Sequence, residues 1–261
     1  MLVPRVVSAL LFGPLLLWAA WVGGWALFVL VVLIVLVAHK EMVAILRRRD
    51  ICIVPFVGPL AMGLVLVTAW QGSGEQFAMV LATAGILPLM AFVLRPGVYS
   101  FSDAAFSLME VLYIGVLAGY WLRLRLVGDG RLLVVAVLLT WAYDVAAYFS
   151  GRAWGRRKIV PLLSPKKTWE GALGGAVTTM GMALVLSFSG FMEWGVAVGA
   201  GLIVSIFAPL GDLIESGLKR YASVKDAGRI IPGHGGVLDR FDSLLLTGFS
   251  LYVYFLLVLG R

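Results

Sequence analysis

The chain has 261 residues, of which 61% are hydrophobic and 13% are charged, and its mean hydropathy is +1.00. Soluble domains carry roughly 25% charged residues, so this composition excludes an ordinary soluble protein and indicates one that lies in a bilayer. The formal net charge is +7, but no basic segment is interleaved with aromatic residues in the way that a nucleic acid strand requires, so nucleic acid is not an expected partner.

Apolar runs long enough to form membrane-spanning helices follow one another along the chain. A helix needs about 20 residues to cross the hydrocarbon core. Nine runs are close to that length: 6–22, 24–46, 52–70, 77–94, 104–122, 132–150, 171–190, 193–211 and 241–259. The first follows Arg5 as the apolar part of a signal peptide would, but with the chain starting at Met1 we expect it to be retained. We predict an all-α, polytopic membrane protein of about nine transmembrane helices.

The basic residues indicate how these helices are oriented. If nine spans alternate, 17 of the 21 Lys and Arg residues lie on one side of the membrane. Only Arg123, Arg125, Arg131 and Arg261 lie on the other. Basic loops are retained on the cytoplasmic side, so we expect a cytoplasmic N-terminus, an external C-terminus and both long basic loops in the cytoplasm. A multi-pass protein of the cytoplasmic (inner) membrane is the expected localisation.

The chemistry-bearing residue types are concentrated in the second half of the chain. We expect one transmembrane domain over residues 1–261, in which 1–130 form a scaffold that faces lipid and 131–261 form a catalytic half. Cys52 is the single cysteine and is expected to be a packing residue. The spacing of Gly171 with Gly175, and of Gly195 with Gly199, is typical of close helix packing in membranes.

The first charged segment of this half runs from Asp144 to Gly171. Asp144 interrupts an apolar span, which makes it a functional candidate; a hydrogen bond to Thr140 or to a neighbouring helix is the structural alternative. Ser164 and Pro165 form a typical N-cap and first-turn pair, which predicts a helix beginning with two lysines. The positive N-terminal end of this helix would suit a polyphosphate. The alternative is that the basic residues anchor the loop at lipid headgroups, which would explain their charge but not the other residues of the segment.

The second charged segment runs from Asp212 to Asp242 and contains five acidic and five basic residues. If the eighth span continues as a helix, Asp212, Glu215 and Lys219 share one face, and Asp239 and Asp242 share a face at the start of the ninth. Buried carboxylates must be compensated. Lysine and arginine could do so, but a hard cation such as Mg²⁺, which prefers oxygen ligands, could also be reached by Asp212 and Asp239 from neighbouring helices.

The loop within this segment is rich in glycine. Gly233, Gly235 and Gly236 permit turns with positive φ and could present N–H groups to phosphate oxygens, although glycine-rich loops also simply connect helices. His234 could act as a general acid or donate a hydrogen bond to phosphate, and a structural histidine is an equal alternative.

At these residues the chain resembles the phosphatidate cytidylyltransferase family, also called CDP-diacylglycerol synthases. The family signature is met at every specified position of Ser216-x-Leu218-Lys219-Arg220-x4-Lys225-Asp226-x-Gly228-x2-Ile231-Pro232-x-His234-Gly235-Gly236-Val237-x-Asp239-Arg240-Phe241-Asp242. A second block comprises residues 164–171, with Asp144 and Gly151-Arg152 upstream. Together the two blocks cover roughly the last 120 residues, and the N-terminal half matches only as a multispan hydrophobic region.

The resemblance implies a nine-helix homodimer in contact with membrane lipids that transfers CMP from CTP to phosphatidate. It implies a metal centre, expected to hold Mg²⁺ with a second ion, divalent or K⁺. The expected metal ligands are Asp212, Glu215 and Asp239. The expected catalytic residues are Asp144, Lys219, Lys225, Asp226, His234 and Asp242. The expected phosphate-binding residues are Arg152, Ser164, Lys166, Lys167, Arg220, Gly235, Gly236 and Arg240.

Two other classes of function stay open at this point. One is a related CTP-using enzyme, such as a polyprenol or phytol kinase or a cytidylyltransferase for an ether lipid. The other is a transporter for an anionic solute with the basic loops as its gate. The chain has no convincing internal repeat, which weighs against a secondary transporter.

Overall fold

The computed structural model describes residues 3–228 and 235–260, with side chains from residue 10 onward. These ranges contain helices and no β-strands, so the all-α prediction is confirmed. The α-helices are α1 (Val3–Val22), α2 (Gly24–Leu46), α3 (Val57–Gln71), α4 (Gly74–Leu94), α5 (Phe101–Glu110), α6 (Leu117–Val127), α7 (Arg131–Trp154), α8 (Trp169–Phe188), α9 (Trp194–Tyr221) and α10 (Leu238–Leu259). A 3₁₀ turn (Arg47–Arg49) follows α2, and a π-helical segment (Val111–Val116) joins α5 to α6.

Seven helical stretches among the described residues are long and apolar enough to cross a membrane. They are Gly24–Arg49, Gly74–Leu94, Phe101–Val127, Arg131–Trp154, Trp169–Phe188, Trp194–Tyr221 and Leu238–Leu259. Two shorter apolar helices, Leu10–Val22 and Val57–Gln71, lie at the first and third predicted runs. A multi-pass membrane protein is therefore supported by length and composition, while nine spans and a cytoplasmic N-terminus stay predictions.

Local sequence explains where several helices begin. Ser73 and Gln76 form a reciprocal capping box at the start of α4, and Ser100 and Asp103 do the same for α5. Each pair satisfies backbone N–H groups that have no partner inside the helix. Both starts lie in gaps between the predicted apolar runs.

The chain divides into two compact units. Unit 1 comprises Met1–Arg123 and Tyr221–Asp239, and unit 2 comprises Leu124–Arg220 and Arg240–Arg261. The family signature is shared between them, since its middle belongs to unit 1 and its two ends to unit 2. A single domain with a scaffold half and a catalytic half stays a prediction.

Unit 1 holds its C-terminal segment through residues of the N-terminal helices. The Arg49 guanidinium donates from Nε to the carbonyl oxygen of Tyr221 at 2.6 Å and from a terminal nitrogen to Ser223 Oγ at 3.0 Å. The ring of Tyr221 stacks on Phe106, with 5.3 Å between ring centroids. The segment from Tyr221 is thus anchored on the helices of the predicted scaffold.

Unit 2 is built on close helix packing that small residues allow. Gly171 and Gly175 of α8 pack on α7, where a β-carbon on Gly175 would lie 2.8 Å from the ring of Tyr143. In α9, Gly199 packs against Tyr254 of α10, whereas Gly195 faces open space. The predicted packing role is therefore seen at three of the four glycines.

Candidate active site

Three carboxylates of unit 2 converge at the end of α9 and the start of α10. Asp212, Glu215 and Asp242 each present one oxygen, and these oxygens lie within 4.8 Å of one another. The side chain of Glu215 is 0% exposed and Asp242 is 8% exposed. We call these three residues the acidic cluster.

The acidic cluster depends on two features of the helices that carry it. Helix α9 continues past residue 211, where the eighth run was predicted to end, as far as Tyr221, so that Asp212 and Glu215 share a face one turn apart. Gly211 then allows α10 to approach, because a β-carbon there would lie 2.5 Å from the carbonyl oxygen of Asp242. Helix continuation and a missing side chain together bring the carboxylates into one place.

Two lysines pair with the acidic cluster. Lys167 Nζ lies 2.7 Å from Asp212 Oδ2 and donates a 3.3 Å hydrogen bond to the carbonyl oxygen of Pro209. Lys219 pairs with Glu215 four residues earlier on α9. Lys167 was predicted to bind phosphate and Lys219 to be catalytic. The structure places each of them beside a predicted metal ligand.

Asp144 of α7 joins this group from a third helix. Ser243 Oγ donates to Asp144 Oδ1 at 3.4 Å, while Thr140 bonds instead to Thr247 Oγ1 at 2.9 Å. The predicted alternative of a bond between Asp144 and Thr140 is therefore not seen, and a bond to a neighbouring helix is. Asp242 faces the negative charges of Asp144 and the other two carboxylates of the acidic cluster.

The predicted helix start at Ser164 is wrong. Helix α8 begins at Trp169, and its N-cap is Thr168, whose Oγ1 accepts a 3.1 Å hydrogen bond from the Gly171 N–H. The reason is that the preceding residues close a loop through their main chain: the N–H of Ser164 donates to the Val160 carbonyl at 2.9 Å. The two lysines of this block therefore precede α8 rather than open it.

The other predicted phosphate-binding residues lie in this loop or near helix ends. Ser164 is half-buried, whereas Arg152 and Lys166 are exposed. Arg220 is exposed at the end of α9 and donates from Nε to the Leu163 carbonyl at 3.2 Å. Arg240, in the first turn of α10, is also exposed. Lys166 thus lies in the loop before α8, whereas Arg152, Arg220 and Arg240 lie near the ends of α7, α9 and α10.

Unit 1 contains the middle of the signature, where Asp239 makes main-chain contacts. Asp239 Oδ2 accepts hydrogen bonds from the N–H of Ala227 at 2.9 Å and of Gly236 at 2.8 Å. The Gly236 N–H is thus engaged by Asp239 rather than open to phosphate. Gly235 has a φ of +84°, as the glycine-rich turn predicted.

Two of the remaining predicted residues of this segment, Lys225 and Asp226, follow α9. Lys225 and Asp226 are exposed. His234 and its neighbour Gly233 lie outside the described residues. Their assignments stay predictions.

Sequence reasoning missed Glu41, a residue of α2 in unit 1. The residue is 3% exposed, and its carboxylate accepts hydrogen bonds from the N–H groups of Val237 and Leu238 at 2.9 and 2.8 Å. A signal was present, because an ionisable residue inside an apolar span is by default a functional candidate. Glu110, noticed in the sequence but given no role, is fully buried and bonds to His39 Nδ1 at 2.6 Å.

The acidic cluster has the donor set that a hard divalent cation requires. Mg²⁺ takes oxygen ligands, usually one or two carboxylates together with phosphates and water. The two lysines offset part of the charge, but Asp242 lies among carboxylates. A divalent cation held by Asp212, Glu215 and Asp242 would offset the rest.

Comparison with known proteins agrees with the signature. The sequence model of a family described as "Cytidylyltransferase family" matches residues 3–258. Three curated relatives, each named phosphatidate cytidylyltransferase, are 38% identical over 250 residues (Staphylococcus haemolyticus strain JCSC1435), 37% over 251 (Staphylococcus epidermidis strain ATCC 12228 / FDA PCI 1200) and 36% over 248 (Staphylococcus aureus strain COL). Each alignment covers 93% of this chain and 93% of the relative. The resemblance is confirmed, and it extends into the N-terminal half, where the sequence alone had suggested only general hydrophobicity.

Proposed function

This chain belongs to the cytidylyltransferase family, and on that basis we propose that it transfers CMP from CTP to phosphatidate, giving CDP-diacylglycerol and pyrophosphate for phospholipid synthesis. The prediction of a nucleotidyltransferase is confirmed by this membership. Support for the lipid substrate comes from relatives named phosphatidate cytidylyltransferase that align with 93% of the chain.

The proposed reaction is one displacement at phosphorus. An oxygen of the phosphatidate phosphate attacks the α-phosphorus of CTP. The bond from that phosphorus to the oxygen bridging to the β-phosphorus breaks, and pyrophosphate leaves with that oxygen. A phosphate monoester has a second pKa of about 6, so the nucleophile is largely ionised at neutral pH and needs no strong general base.

The main task of the protein is then to bring two anions together. We propose that the exposed cations of the signature blocks neutralise the substrate phosphates. These are Arg152, Lys166, Arg220, Lys225 and Arg240, with Lys167 and Lys219 beside the acidic cluster. Charge placed in advance around the transferring group lowers the barrier without any covalent intermediate.

The acidic cluster carries the metal-assisted part of this proposal. We assign Mg²⁺ to Asp212, Glu215 and Asp242, because their oxygens lie within 4.8 Å of one another. When bound, the ion would supply Lewis-acid stabilisation of phosphate oxygens. Asp239 stays a proposed ligand from the resemblance, and the implied second ion, divalent or K⁺, has no assigned ligands.

The proposed function is tested by following which phosphate of CTP reaches the lipid. Purified protein is incubated with phosphatidate, Mg²⁺ and CTP that is radiolabelled at either the α- or the γ-phosphate. We expect the α-label in the lipid and the γ-label in pyrophosphate. A γ-label in the lipid would instead indicate a kinase, and anion flux in proteoliposomes without CTP turnover would indicate a transporter.

We propose that the active site faces the cytoplasm and that the protein is a homodimer. The first proposal is supported by the distribution of basic residues and the second by the resemblance alone. Accessibility of engineered cysteines in residues 155–168 to an impermeant reagent, in vesicles of known orientation, tests the first. Mass measurement of the detergent-solubilised protein tests the second.

A further inference from the structure

We propose that Glu41 is a positioning residue for the part of the family signature at the start of α10, at Val237 and Leu238. Glu41 itself lies in α2, outside both signature blocks. Its two carboxylate oxygens each accept one main-chain hydrogen bond, Oε1 from Val237 and Oε2 from Leu238. Both bonds join residues nearly 200 positions apart in the sequence. A side chain of the predicted scaffold thus holds the main chain of the signature.

These bonds take the place of a local N-cap at α10. The first N–H groups of a helix have no partner within it, and a Ser, Thr, Asp or Asn just before the helix usually accepts from one of them. The residues before α10 are Gly235, Gly236 and Val237, none of which has an accepting side chain. Glu41 supplies an acceptor for the N–H of Leu238, the first residue of α10, and its negative charge suits the positive end of the helix.

Two signature glycines owe their place to this contact. A β-carbon on Gly236 would lie 2.7 Å from Glu41 Oε2 and 2.7 Å from the Gly228 nitrogen. A β-carbon on Gly228 would overlap the Glu41 carboxylate. Residues 228 and 236 can both lie against the Glu41 carboxylate only because neither has a side chain.

Asp239 links this contact to the proposed chemistry. It follows Leu238 in the first turn of α10, and its Oδ2 accepts from Gly236 and Ala227. Two carboxylates, Glu41 and Asp239, therefore hold the main chain at residue 227 and at residues 236–238. Without Glu41, the amides of Val237 and Leu238 lose their acceptors, and the loop and Asp239 lose their fixed position.

The first test combines hydrogen exchange with kinetics for Glu41→Gln. Glutamine keeps the size of the side chain, but its NH₂ group would face one of the two N–H donors. We expect amides between residues 235 and 240 to exchange at least about tenfold faster, with little change elsewhere. We also expect kcat to fall at least about tenfold while the thermal midpoint in detergent changes by only about 2–4 °C.

Glu75→Gln is the matched control. Glu75 is an exposed glutamate in the first turn of α4 in the same unit, so the same chemical change should leave exchange and turnover as in the wild type. The kinetic part rests on the proposed function, whereas the exchange part does not. If the wild type has no cytidylyltransferase activity but Glu41→Gln still speeds local exchange, the proposed function is refuted and the proposed role of the Glu41 contact is retained.

Gly236→Ala is a second variant that leaves the charge of Glu41 unchanged. Its β-carbon would displace the carboxylate, so we expect the same local increase in exchange and the same fall in kcat. Wild-type exchange at residues 235–240 in both variants would overturn the proposal. So would a uniform increase over the whole chain, since it would indicate a general role in stability.

Discussion

Gly211 of α9 lies directly against the main chain of α10 at Asp242. A β-carbon on Gly211 would lie 2.5 Å from the Asp242 carbonyl oxygen and 3.0 Å from the Cα of Ser243. The residue after Gly211 is Asp212, so this contact sets the separation of two carboxylates of the acidic cluster. A single missing methyl group therefore determines whether the proposed metal site can form.

We expect Gly211→Ala to lower turnover by at least about tenfold, because the helices must separate and small displacements at a reacting centre are costly. Overpacking at such a contact typically costs about 1–3 kcal/mol, so the thermal midpoint should fall as well. Turnover and thermal unfolding in detergent measure both effects. Gly195→Ala on the same helix is the control, because Gly195 faces open space; equal losses in the two variants would argue against the contact.

We expect Asp212→Asn and Asp242→Asn each to lower kcat by at least about 100-fold, since each removes a charged oxygen ligand from the proposed Mg²⁺ site. Both proteins should still insert and purify. Binding of Mn²⁺, followed by its paramagnetic signal, should weaken in parallel. The control is Glu193→Gln, because Glu193 is exposed and precedes α9, and this variant should bind Mn²⁺ like the wild type. Full activity in both aspartate variants would refute the metal assignment.

We expect Asp239→Asn to lower turnover by at least about tenfold. Both N–H groups, of Ala227 and Gly236, bond to the same carboxylate oxygen, and asparagine removes the negative charge that strengthens these two hydrogen bonds. Turnover measured together with hydrogen exchange at residues 227–228 and 235–239 checks this expectation. Wild-type turnover would remove Asp239 both from the metal site and from the support of the loop.

We expect Thr168→Ala to destabilise the protein by about 1 kcal/mol, which is typical for loss of an N-cap. The Thr168 hydroxyl is buried and accepts from the Gly171 N–H at the start of α8. Thermal unfolding in detergent measures the effect. Thr83→Ala removes an exposed mid-helix hydroxyl that only bonds back to the Met79 carbonyl, and it should cost less; the reverse order would contradict the assigned cap.

Each predicted apolar run overlaps a helix, because hydrophobic length is a local property of the sequence, although the third run begins before α3 does. The eighth run was predicted to end near residue 211, where the apolar residues end. Helix α9 continues to Tyr221, and the polar residues of this extension, Asp212, Glu215 and Lys219, keep the spacing of one helical face. The helix start at Ser164 was mispredicted, since the main-chain bonds that close residues 157–169 depend on partners several residues away. Thr168 was visible as a capping residue type, but nothing local ranked it above Ser164.

The acidic cluster was only partly predictable for a similar reason. Helical spacing placed Asp212 beside Glu215, and the same rule placed Asp239 and Asp242 on one face of α10. Spacing could not tell which of those two aspartates meets α9, because that depends on how the helices approach at Gly211. The sequence could mark Glu41 as an ionisable residue inside an apolar span, but it could not identify its partners, since the main-chain donors that it binds carry no signal in their side chains.

The bonds between Glu41 and α10 also affect how the protein is made. Glu41 precedes Val237 by 196 residues. At a synthesis rate of about 5–20 residues per second, its carboxylate enters the membrane with α2 roughly 10–40 s before its hydrogen-bond donors exist. Crosslinking of ribosome-bound chains of increasing length would time the contact. Biogenesis therefore includes an interval in which the first helices carry a glutamate whose final partners the ribosome has yet to synthesise.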